Sequence, residues 1–481
     1  MNAYGDYGLY IDAGWRRASS NRTKPVHDPA TEDVIGTIPD ANVEDLDAAL
    51  AAARKGFASW RQVQPWERAA KLRRIADLLR ERAEPLARLM SLETGKPLAE
   101  ARGEWGATAD QFEWYAEETK RIYGQTIEGR ASDVRLSVIW QPVGVVAAFA
   151  AWNFPALLPA RKIAAALAAG CSIILKPAGE APGCAMGILQ ACHDAGLPPG
   201  AVGLVTGNSG LIAKHLIGSP IVRKISLTGS VPVGKEMLRL AADGVKKVSM
   251  ELGGHAPVLV FEDADPLAAA DTCAATKFRN CGQVCISPSR FYVHESLYEP
   301  FSKRFAEKAA LLNIGRGLED GVTMGPLANS RGLENARALV KDALDRGADL
   351  LAGGKTPAGH NRGYFFEPTV LGRVPDDARI MNDEPFGPVA PIATFTSFED
   401  VIQRANALPF GLAGYVFAKS LKTATLAAEA LEVGMVGVND MLLATAEAPF
   451  GGIKESGMGR EGGSIGIRDY LEPKYIKTKL S

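Results

Sequence analysis

Residues 143–177 read VGVVAAFAAWNFPALLPARKIAAALAAGCSIILKP. A short apolar run (143–150) gives way to a helix-length stretch, apolar in almost every register, that closes at Gly170. A second short apolar run, CSIILKP, follows at once. Short apolar runs bounded by Gly or Pro read as strands buried on both faces, and a helix between two of them makes a βαβ unit. The alternation continues with APGCAMGILQACHDAG as helix, VGLVTG as strand and SGLIAKHLIG as helix. RKISLTG is then a strand and SVPVGKEMLRLAAD a helix. This predicts a parallel sheet covered on both faces, with ligands bound at the carboxyl ends of its strands.

Upstream, VEDLDAALAAARKGFASW sets Leu46, Ala49, Leu50, Ala53, Phe57 and Trp60 on one helical face. A second helical pattern starts at Pro65, a good first-turn residue, and runs toward the break at Gly95 and Pro97. The first ~135 residues are therefore expected to be mostly helical, apart from a polar, strand-prone hairpin at 125–141. After Lys246 a second α/β region is expected, with strands near KVSMEL, PVLVF and RFYVH and helices over 299–312 and 330–346. The tail DYLEPKYIKTKLS reads as a strand able to pair with the 125–141 hairpin.

The chain has 481 residues, enough for two or three lobes, and 47% hydrophobic residues, enough for a large core. Its formal net charge of −1 gives no electrostatic reason to expect nucleic acid or an anionic membrane as partner. MNAYGDYGLYIDAGW lacks a basic start and a long apolar segment, so no secretory leader is expected. The most apolar stretch, 163–175, is shorter than the ~18–20 residues of a membrane span. Six cysteines are too few for a disulfide scaffold, so a reduced, cytoplasmic protein is expected.

GSVPVGKE (229–236) fits most of a P-loop, but Glu236 stands where a hydroxyl should bind Mg²⁺. An NTPase is set aside on that ground. Two glycines at a helix N-terminus still suit the phosphates of a dinucleotide.

Seven stretches together resemble the aldehyde dehydrogenase superfamily across essentially the whole chain. They are AWNFP (151–155), LKPAGEAP (175–182), LTGSVPVG (227–234), MELGGHAP (250–257), GQVC (282–285), NDEPFGPV (382–389) and PFGGIKESGMGRE (449–461). The resemblance implies an α/β fold: a Rossmann-type cofactor domain (1–124 and 142–250), an α/β catalytic domain (251–445) and a small β oligomerisation arm (125–141 and 465–481). A homodimer or homotetramer would follow, since unpaired strand edges seek partners.

The same resemblance assigns roles by position. Cys285 matches the nucleophile whose thiolate attacks an aldehyde to give a thiohemiacetal; hydride then leaves to the nicotinamide, and a thioester remains for water. Glu251 matches the base that activates that water, which favours release of a free acid over transfer to coenzyme A. Asn153 matches the side-chain donor of the oxyanion hole, and Glu461 an acidic position proposed to relay protons. Lys176 matches a ribose contact, Ser230 a pyrophosphate contact, and Glu384 and Phe386 the nicotinamide ribose and ring. Trp152, Gly229, Gly234 and Leu252 complete the expected cofactor contacts. Relatives preferring NAD often carry Glu three residues after the lysine; here that position is Gly179, with Glu180 one further along. NADP is therefore expected, alongside NAD.

In the succinate-semialdehyde branch, arginines matching Arg161 and Arg279 grip the substrate's distal carboxylate, with a hydroxyl at the position of Thr445. Guanidinium forks suit carboxylates. The implied reaction is oxidation of succinate semialdehyde to succinate. GQVCISPSRFYVH also looks like α-ketoglutaric-semialdehyde dehydrogenases, whose substrate carries a carboxylate too. A CoA-acylating enzyme and a non-catalytic binding protein are the alternatives of other classes. Cys281 is read as a buried bystander, with a silencing Cys281–Cys285 disulfide as the alternative, and no metal site is expected.

Overall fold

The computed structural model describes residues 3–480. The chain opens on strands: β1 (Leu9–Ile11), β2 (Gly14–Arg16), and a hairpin of β3 (Thr23–His27) and β4 (Val34–Pro39). This corrects the expectation of a mostly helical start. The strands are short, and none alternates cleanly between buried and exposed residues, so periodicity had nothing to register.

Helices then fill the segment as expected: α1 (Val43–Trp60), α2 (Pro65–Glu81), α3 (Ala83–Thr94) and α4 (Leu98–Glu118). A capping box starts α1, in which Asn42 Oδ1 accepts from Asp45 N and Asp45 accepts from Asn42 N. Leu46, Ala49, Leu50, Ala53 and Trp60 are buried on its inner face. The second helical pattern is two helices, divided at Arg82 and ended by Gly95 in a left-handed cap (φ 75°).

The expected hairpin follows as β5 (Gln125–Glu128) and β6 (Val134–Pro142). Next come β7 (Val145–Phe149), α5 (Leu157–Ala169), β8 (Ser172–Lys176), α6 (Gly183–Asp194) and β9 (Val202–Leu204). After them lie α7 (Ser209–Gly218), β10 (Val222–Thr228), α8 (Val231–Ala242) and β11 (Lys247–Glu251). Strands β9, β8, β7, β10 and β11 lie side by side in that order, all parallel. The order reverses at β7, so the crevice beyond β7 and β10 is where such a sheet takes a ligand. KVSMEL belongs to this sheet as β11 and does not open the second one, a further correction.

The second sheet uses β12 (Ala256–Val260), β13 (Pro288–His294), β14 (Asp349–Ala352) and β15 (Thr369–Gly372), with helices α9 (Pro266–Lys277), α10 (Tyr298–Ala310) and α11 (Ser330–Asp345) between them. Beyond β15 come α12 (Arg379–Asn382), β16 (Val389–Phe395), α13 (Phe398–Asn406) and β17 (Phe410–Gly411). β18 (Ala413–Phe417), α14 (Leu421–Ala430) and β19 (Met435–Val438) finish this region. Its strand order is β14-β15-β16-β13-β12-β18-β19. The chain then returns through β20 (Ile453–Lys454), paired with β17, and β21 (Gly457–Met458), which joins the first sheet beside β11. After α15 (Gly463–Gly466), the terminal β22 (Leu471–Lys479) pairs with β6 from Leu471↔Pro142 to Lys479↔Val134. Among the described residues no helix is long and apolar enough to cross a membrane.

Candidate active site

Two sharp turns bring the predicted residues to one crevice. The loop after β7 carries Trp152 and Asn153, and the turn after β10 carries Gly229 and Ser230. β11 ends at Glu251, and from the other sheet's side come Cys285 and the 384–386 loop. Together they line a cavity of about 1050 Å³. Its walls include Trp152, Asn153, Lys176, Gly179, Glu180, Gly229, Ser230, Glu251, Leu252, Cys285, Glu384 and Phe386.

The loop bearing Cys285 departs from regular backbone. Asn280, Cys281 and Gly282 are three successive left-handed residues, with φ of 48°, 55° and 73°. The surroundings hold this strain in place. Asn280 N donates to Glu100 Oε2 (2.9 Å), and its side-chain amide donates to the carbonyls of Asn153 (3.0 Å) and Gln283 (3.2 Å). Gly282 has no room for a side chain, since a Cβ would fall 2.1 Å from the Gly387 carbonyl oxygen. Beyond Cys285, the Tyr415 hydroxyl donates to the Ile286 carbonyl at 2.7 Å.

Cys285 is half-buried in the cavity wall. Burial pushes its thiol up to about 12; the cation of Arg161 pulls against this, while Glu384 and Glu251 add to it. Arg161 is buried, its guanidinium 4.1 Å from the Phe450 ring, and its Nε has no hydrogen-bond partner. Glu251 is also buried, and neither of its carboxylate oxygens has a partner. Burial, then the charge of Glu461, pushes the Glu251 carboxyl well above the usual range. A Cβ on Gly451 would sit 2.8 Å from Glu251 Oε1, so glycine there keeps this carboxylate its space.

Asn153 Nδ2 donates to the Gln283 carbonyl (3.1 Å), which fixes the amide beside the loop that bears Cys285. Sequence reading missed what secures it. The buried Lys96 ammonium donates to the Asn153 carbonyl (3.0 Å) and pairs with Glu104, whose other oxygen accepts from Ala156 N (2.9 Å) and Leu157 N (3.2 Å). Lys162 was likewise passed over; it donates to Thr228 Oγ1 (2.7 Å) and pairs with Glu461. A lone lysine amid the alanines of α5 was the available signal, because buried lysines need partners. Glu461 does not line the cavity. It stands behind Glu251, with Oε2 unpartnered.

On the opposite side, Trp152 and Phe386 meet edge to face at 5.6 Å between ring centres. Glu384 Oε1 accepts from Gly254 N (3.3 Å), and burial raises its carboxyl to about 7. Gly234 lies outside the cavity; a Cβ there would come within 2.5 Å of Leu252, so this glycine lets α8 approach the cavity wall. The cavity suits an extended dinucleotide: apolar walls at Leu227 and Leu252, a helix N-terminus at Ser230, and open space at Gly179, where a Cβ would meet nothing within 4 Å. Lys176 is buried, which depresses its ammonium; Glu180 opposes that shift and Lys24 reinforces it.

The three expected carboxylate-gripping residues are not brought together equally. Arg161 lines neither cavity, yet it is buried close enough for its charge to act on Cys285. Thr445 lines a separate cavity of about 440 Å³ behind α5. Arg279 lines neither; it is exposed, its guanidinium 5.5 Å from the Phe154 ring, and its charge bears on Glu100. The two thiols also part company. All six cysteines are free, and Cys281 is buried beside Glu100 and Lys277, a different set of neighbours from those of Cys285. Among the described residues no group of three His, Cys, Asp or Glu side chains could hold a metal ion.

Comparison with known proteins adds four findings. The profile of the aldehyde dehydrogenase family matches residues 15–476. A glutarate-semialdehyde dehydrogenase of Pseudomonas putida is 46% identical over 467 residues, covering 97% of this chain and 96% of that protein. The NADP⁺ succinate-semialdehyde dehydrogenase of Escherichia coli is 44% identical over 467 residues, covering 97% and 96%. Among solved structures, succinate-semialdehyde dehydrogenase from Burkholderia pseudomallei superposes with a TM-score of 0.97 at 43% identity, covering 98% of each chain.

Proposed function

The chain belongs to the aldehyde dehydrogenase family, and from that premise we propose that it oxidises a semialdehyde bearing a distal carboxylate to the dicarboxylic acid, succinate semialdehyde being the first substrate to test. The observation that carries the substrate class is Arg161: a buried guanidinium with an unpartnered Nε, placed beside the nucleophile's neighbourhood. An unpaired buried cation is costly, and an arriving carboxylate removes that cost. Relatives named for four- and five-carbon semialdehydes support the same class and leave chain length to measurement.

Cys285 supplies the attacking sulfur. Its thiol is protonated at neutral pH, so a proton must leave as the bond to the carbonyl carbon forms, and Glu251 is the acceptor within the cavity. Asn153 Nδ2, with one of its two hydrogens used on Gln283, retains a second for the developing oxyanion. A nicotinamide held by Trp152, Glu384 and Phe386 would supply the hydride acceptor, and Cys285 would then carry the acyl group as a thioester. Glu251, its oxygens unpartnered, then takes a proton from water as that water attacks the thioester, and Lys162 and Glu461 stand behind it as a route for the proton. A base poised on water favours the free acid over a coenzyme A ester.

The enzyme uses NAD(P). Open space at Gly179 and the nearby Lys24 and Lys176 support use of NADP, with Trp152, Glu384 and Phe386 toward the nicotinamide end. Lys24 lies 3.5 Å from Asp40, so this charge is partly spoken for and NAD is expected as a second cofactor. A hundredfold preference for NAD in kcat/KM would overturn the NADP reading. The substrate reading is tested by comparing succinate semialdehyde with an unsubstituted aldehyde of equal length. Arg161→Met is expected to lose at least tenfold more in kcat/KM on the former than on the latter, and equal losses on both would sink the proposal. Arg279→Ala, given that side chain's exposed position, separates a true gripping role from a surface charge.

A further inference from the structure

Lys96 closes the turn before α4, and Glu100 and Glu104 stand one helical turn apart on the first part of that helix. The turn is fixed by close backbone approach. Leu98 N donates to the Gly317 carbonyl (2.9 Å). A Cβ on Gly317 would fall 2.2 Å from the Lys96 carbonyl oxygen, and one on Gly325 1.9 Å from that of Gly95, so both glycines let the second α/β region press against this turn. Lys96 is only 2% exposed, and its three ammonium hydrogens find three acceptors. They are the Glu104 carboxylate, the Asn153 carbonyl (3.0 Å) and the Phe154 ring, whose centre is 4.2 Å away.

The same contacts join the loop of Asn153 to the loop of Cys285. Glu104 Oε1 accepts from Ala156 N (2.9 Å) and Leu157 N (3.2 Å), two N–H groups at the start of α5 that have no partner within the helix. The Asn153 carbonyl accepts a second bond from the Asn280 amide (3.0 Å), which also donates to the Gln283 carbonyl (3.2 Å). Asn280 N in turn donates to Glu100 (2.9 Å). Residues 153–157 and 280–283 are thus tied to each other and to one helix. None of Lys96, Glu104 and Asn280 lines the cavity, so none of them touches what binds there. A buried ion pair is weak evidence for stability, since well-packed apolar residues often do as well. What Lys96 and Glu104 supply that apolar side chains cannot is a direction for the Asn153 peptide.

Resting on the roles given above to Cys285 and Asn153, we propose that the Lys96–Glu104 pair and Asn280 are positioning residues for the oxyanion donor. Together they hold the Asn153 carbonyl from two sides, and so set where the Asn153 amide stands relative to the Cys285 sulfur. Every step that makes or breaks a tetrahedral oxyanion then depends on them, whereas a reaction of the same sulfur that forms no oxyanion does not. A misplacement of about 1 Å at such a donor can cost about a hundredfold in rate.

The test compares three reactions of Cys285 in the variant carrying Lys96→Met with Glu104→Gln. The two changes remove both charges together, and the glutamine oxygen still accepts from Ala156 N and Leu157 N. Aldehyde oxidation passes through an oxyanion, and so does acylation by an aryl acetate, in which sulfur adds to the carbonyl and the aryloxide leaves. Alkylation by iodoacetamide displaces iodide from carbon and forms none. The variant is expected to lose about tenfold or more in kcat on the aldehyde and in the acylation rate, with KM and the alkylation rate within about twofold of wild type. Asn280→Gly removes the other donor to the same carbonyl, glycine tolerates the φ of 48°, and the same split is expected should the first variant fail to fold. Equal slowing of all three reactions, or slowing of none, overturns the proposal. Asn153→Ala tells which reading has failed. If it slows acylation while the other variants do not, the positioning role alone falls; if it leaves acylation at the wild-type rate, the oxyanion role of Asn153 falls and the positioning with it.

Discussion

At Cys285 the thiol's own environment works against the thiolate. Burial drives its pKa to about 12, and of its neighbours Arg161, with a smaller contribution from the Ile286 backbone N–H, favours the charged form. Glu251, itself raised by burial and by Glu461, is correspondingly a better base than a free carboxylate. Two groups that must each lose a proton give a kcat/KM that climbs with pH from neutral into the alkaline range. Arg161→Met removes a cation that stabilises the thiolate, so the rising limb shifts to higher pH; an unmoved limb would mean that Arg161 does not act on the sulfur. Glu251→Gln removes a negative charge beside the thiol and makes it somewhat easier to ionise, yet leaves water without a base. The expected outcome is a single burst of NAD(P)H, slower than in wild type because the thiol has lost its proton acceptor, followed by turnover at least a hundredfold slower than wild type, read by stopped-flow absorbance.

At the scale of elements, the turn over 279–282 shows what sequence could and could not reveal. GQVC within a family-like order pointed to Cys285 as the proposed nucleophile, because spacing and residue type survive in the sequence. Three consecutive left-handed residues do not announce themselves, since only one of them is glycine. Gly282→Ala sets a methyl 2.1 Å from the Gly387 oxygen and strains φ as well. About 2 kcal/mol or more of destabilisation is expected, seen as a drop in Tm with loss of the burst. Lys277, at the end of α9, was equally invisible: it is fully buried, its Nζ has no partner, and burial lowers its ammonium from 10.5 to about 7. Between those values the unfolded chain binds the extra proton, so Lys277 makes stability rise with pH across pH 7 to 10.5. Lys277→Met should flatten that slope and stabilise by about 1–4 kcal/mol near pH 7, measured by chemical denaturation at several pH values. The βαβ run was legible because each strand is buried on both faces. The exposed position of Arg279, outside both cavities, was not legible for the opposite reason: sequence distance from Cys285 says nothing about the direction a side chain takes out of an irregular turn.

For the whole molecule, the arm of β5, β6 and β22 raises the remaining question. Its root is stitched to the first sheet: Val143 N donates to the Tyr470 carbonyl (3.0 Å), the Lys247 ammonium to the Leu471 carbonyl (2.6 Å), and the Lys224 ammonium sits 4.8 Å from the Tyr470 ring. Its outer part is bare. Pairing of Ile139 with Lys474 and of Ser137 with Ile476 puts the two isoleucines on one face of the sheet, while Tyr475 and Ile127 share the other. All four are exposed, Tyr475 by 58% and Ile127 by 44%. A three-stranded sheet with apolar residues bare on both faces needs cover, and a second copy of the same arm supplies it symmetrically. A homodimer or homotetramer is therefore expected in solution. Charged substitutions locate the covering face: if Ile139→Glu with Ile476→Glu reduces the mass by light scattering and Ile127→Glu with Tyr475→Glu does not, the interface is the isoleucine face. Because exposed side chains here cross no core, secondary structure by circular dichroism should be unchanged in either pair. A wild type that runs as a monomer, or two pairs that both keep its mass, would show that the arm is not an assembly surface.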